Sequence, residues 1–144
     1  MNTKWDRRFI RLAEHIASWS KDPSTKVGAV IIDSNHRIVS VGFNGLAQGV
    51  LDSADKLNDR EQKYPRIIHA ETNAILFSQR DLLNCTIYVW PMPPCARCAS
   101  IIIQSGIKRV VAIRPTVEEL KRWGTDIEIA DNDFEEAGVT LEYV

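Results

Sequence analysis

The chain has 144 residues, of which 44% are hydrophobic and 26% charged, and its net charge is −1 at neutral pH. A chain of this length can bury a hydrophobic core of its own, so we expect a single domain over residues 1–144. Proteins that wrap nucleic acid or bind anionic membranes usually need a more basic surface, so neither partner is expected. No apolar run approaches the roughly 20 residues of a membrane span. The N-terminal segment mixes charged and apolar residues, unlike a signal peptide, and a cytoplasmic protein is therefore predicted.

The first half of the chain is predicted to contain a helix, a β-hairpin and a long loop. Apolar residues recur at helical spacing from Trp5 to Ile16, and this helix is expected to end near Ser20. Two β-branched runs, Val27 to Asp33 and Ile38 to Asn44, predict the strands of a hairpin. The polar stretch from Gly45 to Pro65 is interpreted as a loop with a short helix, and loops of that length are usually functional or mobile.

The second half is predicted to alternate between helices and strands. Helices are expected from His69 to Arg80 and from Cys95 to Ser105, with strands from Thr86 to Trp90 and from Arg109 to Ile113. The segments "VEELKRW" and "DNDFEEAG" are each predicted to form a short helix, the second ending at Gly138, before a final strand in "VTLEYV". A hairpin followed by such alternation indicates a mixed sheet with helices on both faces.

Three potential metal ligands lie in two short segments. His69 opens "HAETNAIL", and Cys95 and Cys98 lie in "PPCARCAS", which starts 24 positions later. Zinc prefers nitrogen and sulfur ligands, and a catalytic zinc keeps three protein ligands and a water. The two-residue gap brings both sulfurs to one side of a helix's first turn, where the positive helix end favours the thiolate. These residues predict one catalytic Zn²⁺ per chain.

Glu71 lies two residues after His69 and is predicted to stand beside the metal without binding it. A carboxylate in that position can take a proton from water and deliver it to a leaving group. A redox cysteine pair would leave His69 and Glu71 unexplained. A structural zinc would need a fourth ligand, and Cys85 is expected instead to be a buried apolar residue.

His-x-Glu followed after a strand by Pro-Cys-x-x-Cys is the motif pair of the zinc nucleobase deaminases. The chain resembles the cytidine deaminase superfamily, and within it the bacterial and phage deoxycytidylate (dCMP) deaminase family. Beyond the zinc motifs, the resemblance rests on "SKDPSTKVGAVI", "GFNG" and the pair Lys63-Tyr64. It implies an α/β fold with three α/β/α layers around a central five-stranded mixed sheet. It also implies a homo-oligomer, a dimer or hexamer, in keeping with the apolar run from Ile101 to Ile103.

The same resemblance implies hydrolysis of dCMP to dUMP and ammonia. Glu71 would protonate N3 of the cytosine ring and then relay a second proton to the departing 4-amino group. The backbone N–H of Ala70 would hold the carbonyl edge of the base, and Asn44 would contact the sugar. A nucleotide also needs cations and hydroxyl groups around its phosphate and a ring near the base, for which the candidates are Ser24, Thr25, Lys26, Lys63, Tyr64 and Arg66.

The substrate itself is left open by departures from the family pattern. Residues 42–49 read Gly-Phe-Asn-Gly-Leu-Ala-Gln-Gly, where many members have Gly-Tyr-Asn-Gly-x-Pro-x-Gly. This difference leaves open how the loop meets a nucleotide and whether dCTP and dTTP regulate the protein. His69 argues against the free-cytidine deaminases, which usually carry cysteine there. The alternatives are the same mechanism on a modified cytidylate, a purine or a riboflavin-pathway intermediate, and a zinc-binding protein without turnover.

Overall fold

The computed structural model describes residues 3–144. The helices and strands, in chain order, are α1 Lys4–Ala17, β1 Gly28–Ile32, β2 Ile38–Phe43, α2 Ala54–Asn58, α3 Arg60–Lys63, α4 Ala70–Ser78, β3 Thr86–Trp90, α5 Ala96–Ser105, β4 Arg109–Ala112, α6 Val117–Ala137 and β5 Thr140–Tyr143. The five strands form one sheet in the order β2-β1-β3-β4-β5. Strand β1 is antiparallel to β2 and β3, whereas β3, β4 and β5 are parallel.

Helices cover both faces of this sheet. On one face, α1 packs through Phe9 and Ile16 against side chains such as Tyr88 on β3. On the other face, α4, α5 and α6 bury a second cluster, to which α6 contributes Phe134 and β3 contributes Ile87. The predicted three-layer α/β/α fold with a central five-stranded mixed sheet is therefore confirmed. No helix within residues 3–144 combines the length and apolar character that crossing a bilayer requires.

The main error of the sequence prediction concerns the C-terminal helices. Instead of two short helices, Val117–Ala137 forms one helix of 21 residues. It begins with a capping box, in which the Thr116 side chain accepts from the Glu119 N–H and the Glu119 side chain accepts from the Thr116 N–H. Gly124 lowers the helix propensity of the middle of this segment. Burial of Ile127 and Phe134 on one face of the helix outweighs that cost.

Helix α4 lies unusually close to β2, because Gly42 has no side chain. A Cβ atom at this position would be 2.5 Å from both the carbonyl oxygen of Ala70 and the backbone nitrogen of Ala74. Two side-chain hydrogen bonds hold the same contact. The Ser40 hydroxyl donates to the Ala74 carbonyl at 2.7 Å, and the Asn73 amide donates to the Phe43 carbonyl at 2.8 Å. The start of α4 is therefore fixed relative to the end of β2.

A buried carboxylate joins α1 to the other end of the sheet. Asp6 is only 2% exposed and accepts hydrogen bonds from the Tyr88 hydroxyl at 2.7 Å and from Arg109 at 2.7 and 2.9 Å. Arg109 also donates to Glu142 on β5 at 2.7 Å. Burial by itself raises the pKa of Asp6, but the hydrogen bonds from Arg109, Tyr88 and the Thr3 N–H outweigh it and lower that pKa to about 2.

We expect Gly42→Ala to reduce the free energy of unfolding by about 2 kcal/mol, because the new methyl group must push the α4 backbone away from the sheet. The matched control is Gly124→Ala. A Cβ atom there meets no atom within 4 Å, so this change should stabilise α6 by about 0.5–1 kcal/mol. Urea denaturation of both variants provides the test. Equal stability of the two would contradict the close approach of α4 to β2.

We expect Asp6→Asn to lower the free energy of unfolding by about 2 kcal/mol at neutral pH. This follows from the folded-state pKa of about 2, against an ordinary value of 3.8. Because the folded-state pKa is depressed, the contribution is complete above pH 4 and is lost as the pH falls towards 2. The difference in urea midpoint between wild type and variant should therefore shrink over that range. Glu14→Gln, an exposed carboxyl on the same helix, serves as the control and should show neither effect.

Candidate metal and nucleotide site

The three predicted metal ligands are brought together where two helices begin. His69 is the N-cap residue of α4, and Cys95 is the N-cap residue of α5. Nδ1 of His69 is 3.2 Å from Sγ of Cys98 and 3.5 Å from Sγ of Cys95. With one ligand atom taken from each of the three residues, these atoms all lie within 4.8 Å of one another.

These distances fit a tetrahedral zinc ion. With Zn–N bonds of about 2.0–2.1 Å and Zn–S bonds of about 2.3 Å, two ligands at a tetrahedral angle are about 3.6 Å apart. The two observed N···S distances, 3.2 and 3.5 Å, are close to this value. One imidazole nitrogen and two sulfurs also form the kind of donor set that zinc prefers. Three protein donors leave the fourth tetrahedral position for water or substrate, as in catalytic zinc sites.

The surroundings of the cysteines favour a thiolate even before a metal binds. Hydrogen bonding by the Cys98 thiol, assisted by His69 and the Cys98 N–H, lowers the pKa of Cys95 to about 4 despite burial. The same hydrogen bond to Cys95, together with burial, raises the pKa of Cys98 above its ordinary value. The hydrogen bond with Cys95 raises the pKa of His69. One anionic sulfur is therefore stabilised at neutral pH.

Glu71 lies in the first turn of α4 and is only 4% exposed. Burial raises the pKa of its carboxyl group. It lines the same cavity as His69 and Cys95, so a carboxyl group stands beside the three metal-binding atoms. A buried carboxyl with a raised pKa, next to a metal site in a cavity, is a candidate for proton transfer.

The cavity has a volume of about 570 Å³, within the range of small-molecule sites. Five parts of the chain form its wall: the segment before β1, the end of β2, the stretch from α3 to the start of α4, the β3–α5 connection and α6. Six of the residues predicted from the sequence to contact a substrate line it, namely Ser24, Thr25, Asn44, Lys63, Tyr64 and Ala70.

Two of the predicted cations lie outside this lining. Lys26 is exposed, while Thr25 and Val27 on either side of it line the cavity. Arg66 is also exposed, and its guanidinium donates to the Gln62 carbonyl at 2.7 Å.

Asn44 and Lys63 line the cavity but are tied into its wall. The side-chain oxygen Oδ1 of Asn44 accepts from the Val27 N–H at 2.9 Å, and its side-chain nitrogen Nδ2 donates to the Thr25 backbone carbonyl at 2.9 Å. The Lys63 ammonium donates to Asp22 at 3.1 Å and to the Ser24 hydroxyl at 3.2 Å. The side chains of Lys63 and Asp22 are 7% and 6% exposed. This ion pair holds the segment before β1 against the α3–α4 connection.

Two arginines, Arg60 and Arg122, add positive charge to the lining of the cavity. The Arg60 guanidinium donates to the Tyr64 hydroxyl and stands 5.0 Å from the centre of that ring. Arg122 stands 5.3 Å from the centre of the Trp123 ring. Neither arginine forms a salt bridge within residues 3–144.

Helix α6 supplies a wall of the cavity that the sequence prediction missed. Its lining residues occupy one face of the helix and are Glu118, Glu119, Arg122, Trp123, Asp126 and Ile127. Their spacing of three and four positions is a helical signal. The sequence prediction missed this signal because it divided the segment into two short helices, and two separate helices do not share one face.

Comparison with known proteins identifies the family. Residues 3–114 match the model of the cytidine and deoxycytidylate deaminase zinc-binding region. The chain is 51% identical over 144 residues to a protein of Aliivibrio fischeri named "Uncharacterized deaminase in luxG 3'region", covering 100% of this chain and 96% of that protein. It is 40% identical over 114 residues to the deoxycytidylate deaminase of Homo sapiens, covering 75% of this chain and 64% of that enzyme.

The solved structure of the dCMP deaminase from cyanophage S-TIM5, in complex with dCMP and dUMP, has the same fold. It is 24% identical to this chain, with a TM-score of 0.80 over 100% of this chain and 99% of that chain. The fold, the cluster of one histidine and two cysteines, and the match over residues 3–114 agree with one another. The chain belongs to the zinc-dependent cytidine and deoxycytidylate deaminase family.

Proposed function

We propose that this chain is a single zinc-dependent deaminase domain over residues 1–144 that hydrolyses dCMP to dUMP and ammonia. The observation that carries the proposal is the buried carboxyl of Glu71 beside the three metal-binding atoms, in a cavity of nucleotide size. The names of the relatives support the choice of dCMP, since the human enzyme and the cyanophage enzyme are both deoxycytidylate deaminases.

The proposed mechanism gives each residue one task. His69, Cys95 and Cys98 hold the zinc ion. When bound, zinc supplies a Lewis acid that lowers the pKa of water and makes it nucleophilic at neutral pH. Glu71 accepts the proton that the water loses and delivers it to N3 of the cytosine ring as the new C4–O bond forms. Glu71 then takes the proton of the new hydroxyl group on C4 and passes it to the 4-amino group, so that the C4=O bond forms as the C4–N4 bond breaks and ammonia leaves.

The start of α4 is suited to hold the base. The first N–H groups of a helix have no acceptor within the helix and can bind an external oxygen. Ala70 is the first helical residue of α4 and lines the cavity. Its N–H is therefore proposed to bind the carbonyl oxygen of the base. This bond would place C4 of the ring towards the metal and N3 towards Glu71.

Phosphate recognition is proposed to involve Arg60 and Arg122 rather than Lys63. The charge of Lys63 is balanced by Asp22 in the wall, whereas both arginines line the cavity without a salt bridge in the described residues. The hydroxyls of Ser24 and Thr25 lie in the same lining and can donate to phosphate oxygens. The contact of Asn44 with the sugar stays a prediction. Its hydrogen bonds within the wall support a role in shaping that subsite.

A second candidate is the same reaction on another nucleotide or base. Glu118, Glu119 and Asp126 place three acidic groups on the α6 side of the cavity. Acidic groups repel a phosphate and accept hydrogen bonds from amino groups, as a purine or an unphosphorylated substrate would offer. This observation favours testing substrates without phosphate beside dCMP.

We further propose that the chain forms a homo-oligomer in the cytoplasm. It is expected to bind a small nucleotide, and to bind neither nucleic acid nor a membrane. All three cysteines are free thiols, which suits a reducing compartment. Leu76 and Phe77 on α4 are each 60% exposed, and adjacent apolar side chains of this size are common where subunits meet. Ile102 lies in the core, whereas Ile101 and Ile103 are half-buried.

Ammonia release from a substrate panel tests the substrate assignment. The panel contains dCMP, CMP, dCTP, cytidine, 5-substituted dCMP, dAMP and guanine. We expect dCMP to have the highest kcat/KM. Cytidine has no phosphate to bind, so we expect its KM to be higher than that of dCMP, with a smaller change in kcat. Rapid turnover of another compound without turnover of dCMP would overturn the substrate and leave the mechanism standing. Turnover of nothing in the panel by zinc-loaded protein would overturn both.

We expect Glu71→Gln to lower kcat by about 10³-fold, since the amide cannot take up or deliver protons. Metal analysis should still give one zinc per chain, because Glu71 is not a ligand in the proposed site. The control is Glu128→Gln, an exposed carboxyl on α6 that does not line the cavity, and its kcat should equal that of wild type. Turnover near the wild-type rate in Glu71→Gln would remove Glu71 from its role.

A further inference from the structure

Helix α6 reaches the start of α5 through one hydrogen bond. The Asp126 carboxylate accepts from the backbone N–H of Ala96 at 2.9 Å. Ala96 is the first helical residue of α5 and directly follows Cys95. Asp126 is half-buried and lines the cavity that also contains Cys95 and Glu71. A residue 30 positions away in sequence therefore contacts the peptide next to a proposed zinc ligand.

This hydrogen bond restrains the direction of Cys95. The Ala96 N–H belongs to the planar peptide group that joins Cys95 to Ala96, so holding the N–H fixes the orientation of that plane at the Cys95 Cα atom. Cys95 itself is extended, with φ −71° and ψ 168°, and does not share the regular geometry of the helix. The direction of the Cys95 side chain must therefore come from other contacts. The hydrogen bond from the Ala96 N–H to the Asp126 carboxylate is one such contact, and the charge of the carboxylate strengthens it.

The first turn of α5 is thus held by two acceptors. Sγ of Cys95 accepts from the Cys98 N–H at 3.4 Å, and Asp126 accepts from the Ala96 N–H. Both N–H groups belong to the helix N-terminus, where no acceptor exists within the helix. One acceptor is itself a proposed zinc ligand, so Asp126 is the acceptor that can hold the turn without changing when a metal binds.

We propose that Asp126 is a positioning residue for the metal site, which holds Cys95 in the direction that brings its sulfur to His69. The inference rests on the zinc site of the proposed function. It differs from a catalytic role, in which the carboxylate would contact the substrate. Metals depend on such outer partners, since losing one commonly costs 10- to 100-fold in metal affinity or activity.

The first experiment compares Asp126→Ala with Asp131→Ala, an exposed aspartate on the same helix. Zinc affinity is measured by competition with a chromogenic chelator, and the coordination geometry is measured from the absorption spectrum of the Co²⁺-loaded proteins. We expect Asp126→Ala to bind zinc about 10-fold more weakly and to change the sulfur-to-cobalt band. Its kcat should fall with little change in KM. Asp126→Asn, which keeps an oxygen acceptor, should recover most of the affinity, and Asp131→Ala should match wild type.

The second experiment removes the donor instead of the acceptor. Proline is favoured at the first position of a helix, and the extended Cys95 before it is compatible with proline, so Ala96→Pro deletes the N–H without breaking α5. Ala96→Pro should weaken zinc binding, and adding Asp126→Ala in that background should cost nothing further. Circular dichroism checks folding of each variant. If Asp126→Ala fails to fold, Asp126→Asn and Ala96→Pro carry the test.

Two results would overturn the inference. The first is a zinc affinity and cobalt spectrum of Asp126→Ala equal to those of Asp131→Ala. The second is a raised KM with unchanged zinc affinity, which would mean that Asp126 contacts the substrate. Both of these results can be distinguished from a failure of the proposed function. Wild-type protein that binds zinc but deaminates no compound in the panel would overturn the reaction, while the metal affinities of the variants would still decide the role of Asp126.

Discussion

Helix α4 can lie directly against β2 only because residue 42 has no side chain, and the arrangement of the site follows from this approach. The carbonyl of Ala70 and the nitrogen of Ala74 occupy the space that a Cβ atom of Gly42 would take. With α4 pinned there by Ser40 and Asn73, its first residues have no freedom to shift along the sheet. The position of α4 therefore also fixes the positions of His69 at its N-cap and Glu71 in its first turn.

The metal site joins two helix N-termini, and electrostatics explains why this suits its chemistry. Each N-terminus carries a partial positive charge and unpaired N–H donors. The Cys95 thiolate and the carbonyl oxygen of a substrate are both stabilised by such an environment. The depressed pKa of Cys95 arises mainly from its hydrogen bonds in this turn. The protein therefore stabilises a negative charge on the Cys95 sulfur, where a divalent cation can bind.

The sequence predicted what depends on local spacing and missed what depends on distant contacts. His69, Glu71, Cys95 and Cys98 belong to short motifs, and the five strands follow from local β-branched runs, so both could be predicted. Asp22 and Lys63 are 41 positions apart and form an ion pair only after two loops meet. Whether Lys26 lines the cavity depends on how the segment before β1 folds, which the charge of Lys26 does not reveal.

The error at α6 had the largest effect on the site. Because the segment was predicted as two short helices, the cavity face of the single helix was absent from the prediction. The packing of Phe134 and Ile127, which keeps the helix continuous, is a tertiary effect without a signal in local propensity.

The match to the family model ends at residue 114, and α6 begins three residues later at Val117. The proposed zinc ligands and Glu71 thus lie in the part of the chain that matches the family model, while α6, which forms a wall of the cavity, lies outside it. For protein engineering, this division makes α6 an exchangeable selectivity module. Randomising Glu118, Arg122 and Trp123 would sample new binding surfaces, provided that the capping residue Glu119 and Asp126, which joins the two parts, are left in place.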